Sequence, residues 1–269
     1  MILLVTVILL IYLQDAHPLL YIHHGSASFP PMIQRSVEQE FGSAEAAACA
    51  GLSQGIIGPQ GVDELWAWYL NNDLASSDPD PSWGKVWDTA THLARWMSLD
   101  KSLVKDLKVA ELGCGLGLCG LTAAGAGAKS VLFLDQEGLA LYMCMCSAAA
   151  NGFETGDTVG YAVVSAALCN KGMLPSLPRH RLSDVVLASD ILYDIDAMPG
   201  LAGVILQLLD KKGAGRALIA DPLKGRAKGC RAAFKEEITK LGGHTEEVAL
   251  PNVANREATI LLDISFFLK

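Results

Sequence analysis

The stretch Val109-Ala110-Glu111-Leu112-Gly113-Cys114-Gly115-Leu116-Gly117 constrains this chain more than any other. An apolar run ends in an acid, then in three glycines at every second position, ahead of the small-residue segment Leu118 to Ala128. Glycine is required where the backbone turns with φ > 0 or comes within contact of a ligand, and three in alternation leave little room for a purely structural turn. A strand, a tight turn and a helix are expected, with the helix aiming its N-terminal amides at whatever the turn holds. That end of a helix favours a carboxylate or a phosphate. The pattern is G-x-G-x-G with Glu111 two residues before the first glycine, whereas nicotinamide-binding turns read G-x-G-x-x-G.

Around this turn the chain alternates between strand and helix signals. Trp87, Ala90, Leu93, Ala94 and Met97 form one helical stripe within Gly84 to Leu99. Trp87, at its start, is either core or a cover over the glycine turn. Val131 to Asp135 is a buried strand ending in an acid about 20 residues beyond Gly113, the spacing at which a strand-end carboxylate meets ribose hydroxyls. A cap on the next helix, Leu139 to Ala150, is the plainer alternative for Asp135. Val159 to Val164 is the third strand, and Asp184 to Asp190 the fourth, again apolar with an acid at its end. Asp190 and Tyr193 therefore fall outside the carboxyl end of a strand, where ligands bind in open α/β sheets; capping the following turn is their plainer role. A helix over Met198 to Leu209, a strand over Ala217 to Ala220 and a helix over Ala227 to Leu241 follow. Thr245 to Leu250 and Ala258 to Phe267 then come as strands in succession, which breaks the βα alternation and implies an antiparallel pair at a sheet edge.

The 269 residues, 51% of them apolar, suit one α/β domain over residues 61–269 behind an N-terminal extension, residues 1–60. Met1 to Leu13 is aliphatic but shorter than a bilayer span, and is a membrane-targeting or anchor segment, a buried element, or an extension that does not pack. His23-His24 reads as a polar loop. Gly25 to Ile57 reads as a poorly ordered lead-in with one short helix near Ser36 to Ala50, and Val62 to Leu70 as a helix docking onto the main domain. A net charge of −8, with no stripe of Lys and Arg, excludes a nucleic-acid footprint. Seven cysteines without metal-knuckle spacing imply packed free thiols, no metal and a reducing compartment, the cytoplasm.

The chemistry narrows by elimination. There is no G-x-x-x-x-G-K-[ST] phosphate loop and no G-x-S-x-G elbow. A nicotinamide oxidoreductase stays open, since Gly113, Gly115 and Asp135 would serve it, but Glu111 would set a charge near its pyrophosphate. A cofactor with a cationic centre and an amino-acid tail suits Glu111 better.

Glu111 to Gly117, Asp135 and Asp184 to Tyr193 (D-V-V-L-A-S-D-I-L-Y) together resemble the seven-strand S-adenosylmethionine-dependent methyltransferases. Val86-Trp87-Asp88-Thr89-Ala90 and Asp190-Ile191-Leu192-Tyr193 are similar to motifs of the family 16 protein-lysine methyltransferases within that class. The resemblance covers about Trp83 to Lys269. It implies a Rossmann-like three-layer sandwich: a seven-stranded, mostly parallel sheet with an antiparallel C-terminal edge pair. It implies S-adenosylmethionine as cofactor, met by the backbone at Gly113, Gly115 and Gly117, with Glu111 near the methionine end, Asp135 on the ribose and Trp87 lining the pocket. Asp190 and Tyr193 would be the catalytic residues and a protein lysine the substrate, acted on by a monomer. Where many relatives carry Asp-Trp against the adenine, this chain reads Val164-Ser165-Ala166-Ala167. A non-catalytic methyltransferase-like interaction module and a small-molecule methyltransferase are the alternatives.

Overall fold

The computed structural model describes residues 30–71, 81–153, 159–163, 182–210 and 214–267. Met1 to Leu13, His23-His24 and Val164 to Ala167 lie outside the described residues. No helix among the described residues is long and apolar enough to cross a membrane.

The chain opens with an antiparallel pair, β1 (Met32–Arg35) and β2 (Ile56–Pro59), registered from Met32↔Pro59 to Arg35↔Ile56. Between them stand two short helices, α1 (Val37–Phe41) and α2 (Ala44–Cys49), where one was expected near Ser36 to Ala50. The break is local chemistry. Gly42 ends α1 at φ 59, and Ser36 and Ser43 each accept a backbone N–H three residues on, so each starts a helix of its own. α3 (Val62–Asn71) follows, then a 3-10 turn over Pro81–Gly84 and α4 (Asp88–Leu99). α4 begins later than its apolar stripe suggested, because Trp87 takes extended dihedrals (φ −82, ψ 148) as its N-cap.

Among the described residues, seven strands make one sheet: β3 (Lys108–Leu112), β4 (Ser130–Asp135), β5 (Val159–Val163), β6 (Val185–Ser189), β7 (Ala214–Pro222), β8 (Gly243–Ala249) and β9 (Thr259–Phe267). Their order is β5-β4-β3-β6-β7-β9-β8. Neighbours from β5 to β7 are parallel, while β9 runs antiparallel to both β7 and β8, as the missing helix between the last two strands implied. β7 is longer than its apolar run because it pairs with β9 over Ala214↔Phe267 to Pro222↔Thr259. The strand order reverses at β3, between β4 and β6, so the crevice of an open α/β sheet belongs above β3.

Alternation along β3 sorts the two faces. Val109 joins Leu93, Leu121, Phe133 and Met143 in a core under α4, α5 (Leu118–Gly125) and α6 (Gly138–Ala150). Ala110 and Leu112 join Val186, Ile205 and Phe234 in a second core under α7 (Met198–Leu208) and α8 (Cys230–Lys240). Each large apolar side chain fully buried there contributes about 1.5–3 kcal/mol relative to exposure. Residues 30–60 share the first core: Phe41 and Ile56 are fully buried in it. Ser147 and Asn151 of α6 and its C-cap hold β2 in place. Ile57 N–H donates to Ser147 Oγ (2.8 Å), Gln54 N–H to Asn151 Oδ1 (3.0 Å), and Asn151 Nδ2 to Gly55 O (2.7 Å).

Candidate active site

The turn after β3 is pinned to β4: Gly113 N–H and Cys114 N–H both donate to Leu134 O, at 2.8 and 3.1 Å. Gly113, Gly115 and Gly117 stand at φ 67, 50 and 76, the left-handed region that L side chains rarely adopt. At Gly117 a Cβ would also lie 2.6 Å from Cys144 Sγ, so the turn is closed to any side chain from below as well. Asp135, at the end of β4, accepts Gly115 N–H through Oδ2 (2.8 Å) and Glu137 N–H through Oδ1 (2.9 Å). Both oxygens are held by backbone, which fixes the carboxylate on the cavity wall.

Above the turn lies a cavity of about 630 Å³, lined in part by Trp83, Val86, Trp87, the segment from Gly113 to Leu118, and Asp135. Asp190, Tyr193 and Arg226 complete its other side. Trp87, Gly113, Gly115, Gly117, Asp135, Asp190 and Tyr193, named from sequence, are thus brought to one cavity. Trp87 is fixed by an N–H donated from Nε1 to Ser82 O (3.2 Å), and two cations stand over its ring, Lys85 Nζ at 3.5 Å and the Arg226 guanidinium carbon at 4.7 Å from the centroid. Tyr193 is 55% exposed at the rim.

Glu111 is not among the residues on the cavity wall. Side chains alternate along a strand, and Glu111 follows Val109 to the α5 face. There Oε2 accepts Gly120 N–H at 2.8 Å. Burial pushes its carboxyl up to about 8, against the hydrogen bonds from Gly120 and Cys119 that lower it, and with the nearby Asp135 charge adding to the rise.

Asp190 leaves β6 at φ 60, with its N–H donated to Ala220 O (3.0 Å). Left-handed backbone is tolerated by Asp, and it turns this carboxylate back into the site. Thr89 Oγ1 donates to Oδ2 at 3.3 Å. Arg226 grips both oxygens, Nε to Oδ1 at 2.7 Å and Nη2 to Oδ2 at 2.5 Å. That carboxylate raises the Arg226 pKa still further above its ordinary value, though burial opposes it. Next door, Asp221 is fully buried and its carboxyl is pushed up by that burial despite its ion pair with Arg231.

Sequence reasoning missed Arg226, Thr89 and Lys85. A signal for Arg226 existed: Lys224, Arg226 and Lys228 cluster just beyond the carboxyl end of the expected strand Ala217 to Ala220, in an acidic chain. The N-terminal end of α4 carries a second network. Asp88 accepts Arg256 Nη1 (3.0 Å) and Glu257 N–H (2.9 Å), and Arg256 also reaches Glu40 Oε2 at 3.2 Å. These contacts hold the Asp88 carboxyl below the usual carboxylate range, although desolvation, the largest influence, opposes them.

Residues 74–236 match the model of a family described as lysine methyltransferase. A protein-lysine N-methyltransferase of Chaetomium thermophilum is 30% identical over 131 residues, 47% of this chain and 38% of that protein. One of Mus musculus is 28% identical over 171 residues, 61% of this chain and 50% of that protein. A histidine protein methyltransferase 1 homolog of Rattus norvegicus is 28% identical over 158 residues, 51% of this chain and 43% of that protein. The matched stretch thus spans half or less of the length of each of these relatives.

Proposed function

The chain belongs to the lysine methyltransferase family, and on that premise we propose that it is an S-adenosylmethionine-dependent methyltransferase acting on a lysine side chain of a protein. The observation that supports this most is Asp135, a carboxylate on the cavity wall held by Gly115 N–H and Glu137 N–H beside three left-handed glycines. A strand-end carboxylate fixed in this way suits two ribose hydroxyls, and the side-chain-free turn suits a ligand lying directly on the backbone. Trp87 lines the same cavity. Glu111 supports the cradle from beneath by tying Gly120 of α5 to β3. The buried free thiols of Cys114, Cys119 and Cys144 agree with a reducing compartment, the cytoplasm.

Bound S-adenosylmethionine supplies a sulfonium-activated methyl group, which passes to an uncharged amine by in-line displacement. The chain's task is to bring that amine into line and to let its proton go. Asp190, oriented by Thr89, accepts a hydrogen bond from the amine, and Tyr193 at the rim offers its ring to the alkyl stem. Desolvation lowers a lysine pKa, so neither side chain has to act as a strong base.

Titration calorimetry tests the first half of the reading. Wild-type protein should bind S-adenosylmethionine, and Gly115→Arg should abolish that binding while the circular dichroism of the fold is kept. Wild-type protein that shows no binding heat sinks the reading. Asp190→Ala tests the second half: methyl transfer should be lost with cofactor binding kept, whereas unchanged transfer favours a module that only binds. Labelled cofactor added with a cell lysate should place the label in protein; label in small molecules would favour a small-molecule enzyme.

A further inference from the structure

The carboxylate that this reading offers to the acceptor amine already has a cation on it. Arg226 meets both oxygens of Asp190, at 2.7 and 2.5 Å, and its guanidinium lies 4.7 Å from the centre of the Trp87 ring. A buried carboxylate and an aromatic face are the two features by which a site recognises an alkylammonium. Here both serve a cation of the chain itself. Asp190 is only 8% exposed, and removing one partner of such a pair leaves a charge in a poorly solvated place, a cost that a single new contact does not cover. Exchange is favourable when both halves are replaced together. Glu257 Oε2, at 3.8 Å from Arg226 Nη1 and 40% exposed, touches another nitrogen of the guanidinium and leaves the edge that faces Asp190 in need of a carboxylate.

The surroundings favour the same partner. Lys224 and Lys228, two residues to either side of Arg226, are exposed and form no ion pair among the described residues. Leu223 and Ile195, 52% and 50% exposed, stand beside this loop and beside Tyr193 in the chain. A chain of net charge −8 thus carries three cations within Leu223 to Gly229, next to the cavity.

We propose that the acceptor segment is acidic: a lysine with a carboxylate residue close by, whose ammonium replaces Arg226 on Asp190 while the carboxylate takes the freed guanidinium edge. Lys224 and Lys228 draw the segment in. Docking as an ammonium precedes loss of its proton to water, and the exchange sets which lysines are admitted. The inference rests on the proposed methyltransferase reading.

The test uses fluorescent peptides of equal length with one central lysine flanked by Glu, by Ala or by Arg, titrated into full-length protein loaded with S-adenosylhomocysteine. Anisotropy should show the Glu-flanked peptide binding about tenfold tighter than the Arg-flanked one, a gap that narrows with added salt. Lys224→Glu with Lys228→Glu should erase the gap and leave S-adenosylhomocysteine affinity unchanged. Arg226→Gln should tighten binding of the Ala-flanked peptide and remove the advantage of the Glu flanks, which a merely structural arginine would not do. Loaded protein that shows no preference, including no binding of any peptide, overturns the inference alone, as does a preference that survives the lysine reversals. Wild-type protein that takes up no S-adenosylhomocysteine sinks the functional reading and this inference with it.

Discussion

At the scale of single residues, Glu111 and Gly117 show how one strand and its turn divide their labour. Glu111 is 1% exposed and holds α5 through Gly120 N–H, with its carboxyl raised from 4.5 to about 8. A raised acid pKa means that the folded state keeps a proton the unfolded chain has released, so stability present at low pH is lost as pH rises toward 8. Urea melts should show stability falling by about 3 kcal/mol from pH 5 to pH 8 on account of this group, and Glu111→Gln should flatten that fall. An equal slope in the variant would reject the assignment. Gly117→Ala adds a Cβ at φ 76 against Cys144 Sγ, and should cost about 1–3 kcal/mol in denaturant melts and abolish cofactor binding in calorimetry. The role of the glycines could be argued from spacing, because backbone freedom belongs to the residue itself. Glu111 was expected near the cofactor's methionine end because its charge suits a cationic centre and because the family resemblance implies it, but the face it takes depends on which side of β3 the cavity opens.

Among the elements, α4 is the one on which the site is assembled. Its N-terminal end supplies Trp87 to the cavity and Thr89 to Asp190, while Leu93, Ala94 and Met97 are fully buried against the sheet. His92 fastens the same helix to the connection before β9. Nδ1 lies 2.7 Å from Asp88 O, and Nε2 accepts Val253 N–H at 3.2 Å. His92→Leu leaves Val253 N–H buried without an acceptor and should cost about 1–3 kcal/mol in chemical denaturation. The helix and its apolar stripe were readable in the sequence. Its cross-links to Val253, Arg256 and Asp190 were not, since each joins positions more than a hundred residues apart.

For the molecule as a whole, residues 30–60 belong to the core beneath α4, α5 and α6. Phe41, Ala46, Ala50 and Ile56 are fully buried there, and Gly51 approaches Gly125 so closely that a Cβ would lie 2.8 Å from its carbonyl oxygen. A chain beginning at residue 61 should therefore lose its cooperative thermal transition in circular dichroism. A transition matching that of the full chain would show that the earlier residues only decorate the domain. Asn151→Ala, which removes the bonds to Gln54 N–H and Gly55 O, should speed amide exchange in β2 before it affects the central strands.

What the sequence determined by itself is whatever depends on local periodicity and backbone freedom. The alternating glycines, the acid-ended apolar strands, and the loss of βα alternation after Leu241 were enough for the parallel sheet, its antiparallel edge and most of the cavity wall. Tertiary structure alone decided the rest. The Ser-to-Gly punctuation between α1 and α2 was written in the chain, but the core that orders residues 30–60 comes from α6 and the sheet, far away in sequence. Asp190 was placed correctly at a strand end, yet its partner Arg226 stands 36 residues on, at the end of the next strand. Ion pairs of that kind leave no periodic trace, because they are made by strands brought side by side rather than by neighbours along the chain.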